Sequence, residues 1–270
     1  MCLSLTACGN RAAEESNTAK ITFPEGSTVI QIANALEKNG VCKAADFEKA
    51  ANTIPASYDR LFQDYDPKGR LFALEGYLFP DTYEFYKGEK PSMAVMRFLD
   101  NANQKITDQD IKDAKAMGYT LDQVLTLASI IQTEASDPAQ MPKVSSVFHN
   151  RLNSGNFPYI GSDVTRQYIE VKSKDYIEMN SPAQYDTLFG NYCTNDGYPH
   201  KTKGLPIGPI CSCGTNAIRS ALHPDKDKYL NFFSEPQGGY HYNVRLQDHQ
   251  VQYAKFQKAA SGKAAAKKGA

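Results

Sequence analysis

The run TLDQVLTLASIIQTEAS at residues 120–136 constrains this chain more than any other part of it. Val124, Leu125, Ala128, Ile131 and Ala135 recur at spacings of three and four, and Leu127 and Ile130 widen the apolar surface until little polar face remains. Such a helix is stable only inside a core, so the rest of the chain must wrap around it. Thr120 and Gln123 form a capping-box pattern, the hydroxyl accepting the Gln123 N–H while the glutamine side chain reaches back, which starts the helix at Leu121. Glu134 lies in the last turn, three residues after Ile131, four after Ile130 and seven after Leu127, and so on their side. Lost hydration drives a carboxyl there toward its protonated form, and the negative end of the helix dipole acts in the same sense. That is the state a general acid needs near neutral pH; the alternative is a side chain turned to water at a fraying helix end.

At 270 residues the chain can hold one large domain or two modest ones. Its 30 basic and 30 acidic residues, with no long charge run in the middle, leave no electrostatic footprint for nucleic acid. Leu5-Thr6-Ala7-Cys8 resembles the lipobox of bacterial lipoproteins, with Cys8 as the lipidated residue and a small, polar tether after it. The apolar run before Cys8 is short and uncharged at its start, so the segment reads either as the truncated end of a longer signal or as an accidental match; the expected anchor is a lipid on Cys8 or an N-terminal helix. SGKAAAKKGA at 261–270 reads as a disordered basic tail. Cys193, Cys211 and Cys213, with His200 between them, leave open a structural zinc, a disulfide from Cys193, or free thiols; neither CxxC pair is present.

The class is α+β, without repeats. Residues 20–52 form a small unit: a strand (KITFP), a helix capped by Ser27 and stopped at Asn39-Gly40, then a second strand and helix around Val41–Ala51. LFALEGYLFPDTYEFY, residues 71–86, is aromatic and turn-broken. Helices are expected at 92–105, 108–117, 143–152 and 215–222, and strands at 229–234 and 240–244 joined by a hairpin. The Ser136-Asp137-Pro138 break leaves Glu134 at a helix–helix junction.

Seven segments in order, LEGYLFPDTYEF (74–85), LASIIQTEAS (127–136), VFHNRL (147–152), SDVT (162–165), YDT (185–187), GLPIGPI (204–210) and the run 217–249 with KYLNFF and GGYHYN, resemble the endolytic murein transglycosylase family, also called the YceG-like family. ITFPEGSTVIQIANALEKNGV looks like that family's LysM-like subdomain. The resemblance divides the chain into a tether (1–19), a LysM-like unit (20–52), a catalytic domain (53–260) with a lysozyme-like catalytic helix, and the tail.

By this resemblance Glu134 is the catalytic glutamate, with Gln132 where the family usually has a first acid, Val164 where it has proline, and Asp186 where it has asparagine. The implied activity is lytic cleavage of the MurNAc–GlcNAc β-1,4 bond in nascent peptidoglycan strands, on the extracytoplasmic face of the bacterial membrane. No cofactor is implied; the partners are glycan strands and, by family only, cell-wall synthases. One acid suffices for such a reaction: it protonates the glycosidic oxygen, then as carboxylate takes the proton from the muramyl C6 hydroxyl, which closes on its own anomeric carbon. Supporting candidates are Ser162 and Asp163 after a glycine turn, Tyr185 and Thr187 in the cleft, His241 and Asn243 on one strand face, and Gln132 beside the acid. Glu75, Asn150, His149 and His249 read as structural. Two other functions compete: a peptidoglycan-binding scaffold with impaired catalysis, and a hydrolytic muramidase that needs Asp163 or Glu75 as a second carboxylate.

Overall fold

The computed structural model describes residues 17–236 and 238–268. Cys8 and the tether lie outside the described residues. In chain order the elements are β1 (Thr18–Thr22), α1 (Val29–Lys38), α2 (Ala44–Ala50), β2 (Thr82–Tyr86), α3 (Pro91–Lys105), α4 (Asp108–Ala116), α5 (Leu121–Glu134), α6 (Met141–Asn153), α7 (Asp163–Gln167), α8 (Lys174–Asn180), α9 (Tyr185–Tyr192), α10 (Thr215–Leu222), β3 (Asn231–Ser234), β4 (Tyr240–Asn243) and α11 (Leu246–Lys268). A single π-helical turn, Tyr168–Lys172, follows α7. The class is α+β, as expected.

α5 is the axis of the molecule: ten of its fourteen residues are buried, and α4, α6, α7 and α10 pack around it. Its expected capping box is present, with Gln123 N donating to Thr120 Oγ1 at 3.1 Å and Thr120 N to Gln123 Oε1 at 2.9 Å. Asp122 is buried on the same helix but satisfied, accepting from Arg70 Nη1 and from the Tyr77 hydroxyl, both at 2.8 Å.

The amino-terminal unit departs from expectation in three ways. Its helix is capped by Thr28, in a capping box with Gln31, because the Ser27 hydroxyl donates to Pro24 O instead. No strand forms around Val41: Gly40 takes φ +72°, and the Val41 amide turns back to Leu36 O at 3.0 Å, closing the end of α1. The partner of β1 is β2, antiparallel from Thr18↔Tyr86 to Thr22↔Thr82. The order is therefore βααβ, and Phe23 meets Phe85 and Phe98, and Phe47 meets Phe98, edge to face in a core that α3 shares. The boundary at residue 52 cuts through this core.

The unit is also seated on the remainder of the chain. Gly26 N and Ser212 O, and Ser212 N and Ser27 O, pair at 2.8 Å, while Glu75 accepts from Val29 N. Gly76 adopts φ +83° under Pro209, where a Cβ would stand 2.3 Å from the proline Cβ. At the other end, α11 continues to Lys268 through part of the segment expected to be tail; alanine and lysine, which dominate there, are strong helix formers. Among the described residues no helix is long and apolar enough to cross a membrane.

Candidate active site

α5 ends at Glu134 because Ala135 turns to an extended conformation, φ −116° and ψ 105°. The next amide, Ser136 N, donates to the Tyr240 hydroxyl at 3.0 Å, which ties the helix end to β4. Glu134 is thereby held among packed atoms with an edge still open to solvent, in the notch between α5 and α6. Ser162 closes one side, its hydroxyl donating to Glu134 Oε1 at 2.6 Å. Ser162 occupies the N-cap position of α7 yet makes no side-chain cap, since its hydroxyl is spent on the carboxylate. A buried threonine pair fixes the backbone behind it: Thr165 Oγ1 donates to Ser162 O at 2.8 Å, and Ser162 N and Gly161 N bond to Thr194 Oγ1 and O.

Burial pushes the Glu134 carboxyl above the usual carboxylate range; the Ser162 hydroxyl and the Arg151 charge act against this, and Asp163 adds to it. A partly solvent-facing acid that holds its proton above the usual carboxylate range, with one donor ready to stabilise its anion, can protonate a leaving oxygen and then act as base.

The YceG-like family profile matches residues 4–255. The chain belongs to the YceG-like family. It is 29% identical over 244 residues to the endolytic murein transglycosylase of Bacillus subtilis (strain 168), covering 88% of this chain and 65% of that protein. It is 27% identical over 258 residues to that of Streptococcus pneumoniae (strain D39), covering 89% of this chain and 45% of that one. The chain thus spans less than two thirds of the length of these curated relatives. A crystal structure of a YceG-like protein from Listeria monocytogenes superposes with a TM-score of 0.68 at 28% identity, covering 87% of this chain and 76% of that one.

Within this YceG-like chain, Ser162 is the one expected supporting residue that touches Glu134. Asp163 comes near enough to act through its charge, but its Oδ1 is held by Asn195 Nδ2 at 3.0 Å and by Arg166. Gln132 is not at the site: two residues along a helix is a rotation of about 200°, and its Oε1 instead accepts from Gly214 N at 3.1 Å, anchoring the start of α10. Tyr185 stacks on Phe189, and Thr187 lines a separate shallow cavity with Asn191 and His200; neither is joined to Glu134 by a hydrogen bond.

His241 and Asn243 do share a strand face, but it is the face away from the acid. His241 lies over Phe233, with its ring nitrogens bonded to Glu235 Oε1 (2.7 Å) and Gln252 Nε2 (2.9 Å), under α11. The opposite face carries Tyr240 and Tyr242, which reach Ser136 and Gln140. Tyr240 and Arg151 are the site residues that sequence reasoning missed. A signal existed for Arg151, which continues the buried stripe Val144–Phe148 at the next helical position.

Glu75 accepts from Val29 N and the Tyr168 hydroxyl, Asn150 ties α6 to Asp227 and Tyr229, and His149 Nε2 meets Ala221 O. His249 lies beside Phe233 at the edge of α11. Cys193, Cys211 and Cys213 are free and buried, Cys211 Sγ lying 3.5 Å from Ser129 O and Thr133 Oγ1. Among the described residues no cluster of three or more His, Cys, Asp or Glu is arranged to hold a metal.

Proposed function

We propose that this chain cleaves the MurNAc–GlcNAc β-1,4 bond within peptidoglycan strands as a lytic transglycosylase, with Glu134 as the single acid and then base, leaving 1,6-anhydromuramyl ends. The observation that carries the reading is the Glu134 carboxyl at the buried helix end, raised in pKa and held by the Ser162 hydroxyl at 2.6 Å. In the first step the neutral acid gives its proton to the glycosidic oxygen. The resulting carboxylate, hydrogen-bonded by Ser162, then accepts the C6 hydroxyl proton as that oxygen attacks the anomeric carbon. The relatives named endolytic murein transglycosylase favour this substrate class. With it goes a place of action on the extracytoplasmic face of the bacterial membrane, reached through a lipid on Cys8 or a preceding helix, in company with cell-wall synthases. The βααβ unit is proposed as the LysM-like, glycan-binding part, completed by β2.

A hydrolytic muramidase is the second reading, favoured by Asp163, the other carboxylate whose charge reaches Glu134. Mass spectrometry of uncrosslinked glycan strands incubated with the protein and with Glu134→Gln tests both. Anhydromuramyl ends from the wild type, lost by at least ~10²-fold in the variant, are expected. Ends heavier by one water would make the protein a muramidase, and bound but intact strands would leave it a scaffold.

A further inference from the structure

We propose that Arg151 is the positioning residue of this site: its guanidinium clasps two separate backbone segments and thereby sets the Ser162 hydroxyl on Glu134. The inference rests on the reading of Glu134 as the acid.

Arg151 projects from α6 and is tied to main chain, with no ion pair to a carboxylate among the described residues. Nε donates to Leu230 O at 2.7 Å, just before β3, and Nη1 donates to Ile160 O at 2.6 Å and Gly161 O at 3.2 Å, just before Ser162. A planar fork with fixed N–H directions can hold carbonyls from two segments at once; a lysine ammonium cannot. Gly161 takes φ +68°, a backbone conformation that favours glycine, and it sits in ordinary contact with the guanidinium, a Cβ there standing 3.4 Å from Nη1.

The linkage is short: Arg151 to the 160–161 carbonyls, the next residue Ser162, and its hydroxyl to Glu134 Oε1. The charged and titratable groups facing this linkage are Asp163 from α7, His249 from α11 and Tyr240 from β4. Arg151 itself is pushed down to about 10 by burial and still carries its charge at neutral pH. It therefore offsets Asp163 in the field at Glu134 and favours the carboxylate formed after the first proton transfer.

The test is a double-mutant cycle between Arg151→Lys and Ser162→Ala in the full chain, read two ways. Turnover of uncrosslinked strands gives kcat and KM against pH, and carbon-13 NMR of the Glu134 carboxyl, assigned with Glu134→Gln, gives its titration midpoint. Each single variant is expected to lose roughly 10- to 100-fold in kcat with KM nearly unchanged. The double variant should lose little more than either, because both act through one hydrogen bond. Ser162→Ala should raise the midpoint, and with it the alkaline limb of kcat; Arg151→Lys, which loosens the same hydroxyl, should raise it as well, without adding to the effect of Ser162→Ala. Multiplicative losses in kcat, or a midpoint unmoved by Arg151→Lys in a protein of native thermal stability, would overturn the proposal. If the wild type leaves strands intact, the transglycosylase reading fails, and the titration cycle alone still decides whether Arg151 sets Ser162 on Glu134.

Discussion

Glu75 should make the stability of this protein fall as pH rises toward neutrality. The side chain is fully buried where the βααβ unit meets the rest of the chain, accepting from Val29 N at 3.2 Å and from the Tyr168 hydroxyl at 2.8 Å. Burial raises its carboxyl from 4.5 to about 7, against the opposing pull of Tyr168, the Val29 amide, Lys172 and the Gly76 amide. Below about pH 4.5 native and unfolded chains both hold the proton, and the full contribution is present. Between about 4.5 and about 7 the unfolded chain has released it while the native protein keeps it, so stability declines; above about 7 the loss is complete. A shift of this size corresponds to ~3 kcal/mol. Glu75→Gln removes the titration and keeps the shape. Urea unfolding followed by far-ultraviolet circular dichroism, from about pH 4.5 to about pH 8, measures the stability difference between wild type and variant, in which the contributions of Glu134 and other groups cancel. That difference is expected to move against the wild type by ~3 kcal/mol as pH rises. A flat difference, or one of opposite slope, would refute the reasoning.

Asp122→Ala should cost about 3–5 kcal/mol in urea unfolding, because it leaves the Arg70 guanidinium, whose side chain is only 3% exposed, without its carboxylate and Tyr77 without its acceptor; Asp122→Leu with Arg70→Met should recover much of the loss. Gly76→Ala should destabilise by at least ~2 kcal/mol in the same assay, since it combines φ +83° with a Cβ 2.3 Å from Pro209. His241→Ala should leave strand turnover within about twofold of wild type, because its imidazole bonds to Glu235 and Gln252 beneath α11; a large loss of turnover would mean that this face of β4 meets the substrate.

Features written in neighbouring residues were legible. The Thr120–Gln123 capping box, the buried helix ending at Glu134, the helices on either side of the Ser136-Asp137-Pro138 break, and the β3–β4 hairpin all depend on contacts within a few positions, so periodicity and end signals suffice to locate them. The apolar side on which Glu134 lies was legible too, from its spacing to Leu127, Ile130 and Ile131; that its carboxyl stays there against Ser162 and does not turn to water was decided by packing. What escaped was set by contacts between distant parts of the chain. The β1–β2 pairing joins Thr18 to Tyr86, and nothing in either strand names the other. Two-residue alternation grouped His241 with Asn243 correctly, but which face of β4 turns toward the end of α5 depends on how the hairpin docks on α6 and beneath α11. Gln132 was placed at the site by its position in the family's acid triplet, although helical rotation sends it to Gly214. Arg151 acts on Glu134 through its charge and through the carbonyls of residues 160 and 161, and neither route exists until α6, the turn at Gly161 and the start of β3 have come together. Local order is encoded along the chain; the electrostatic setting of the acid comes from burial and from groups that only tertiary packing brings within range.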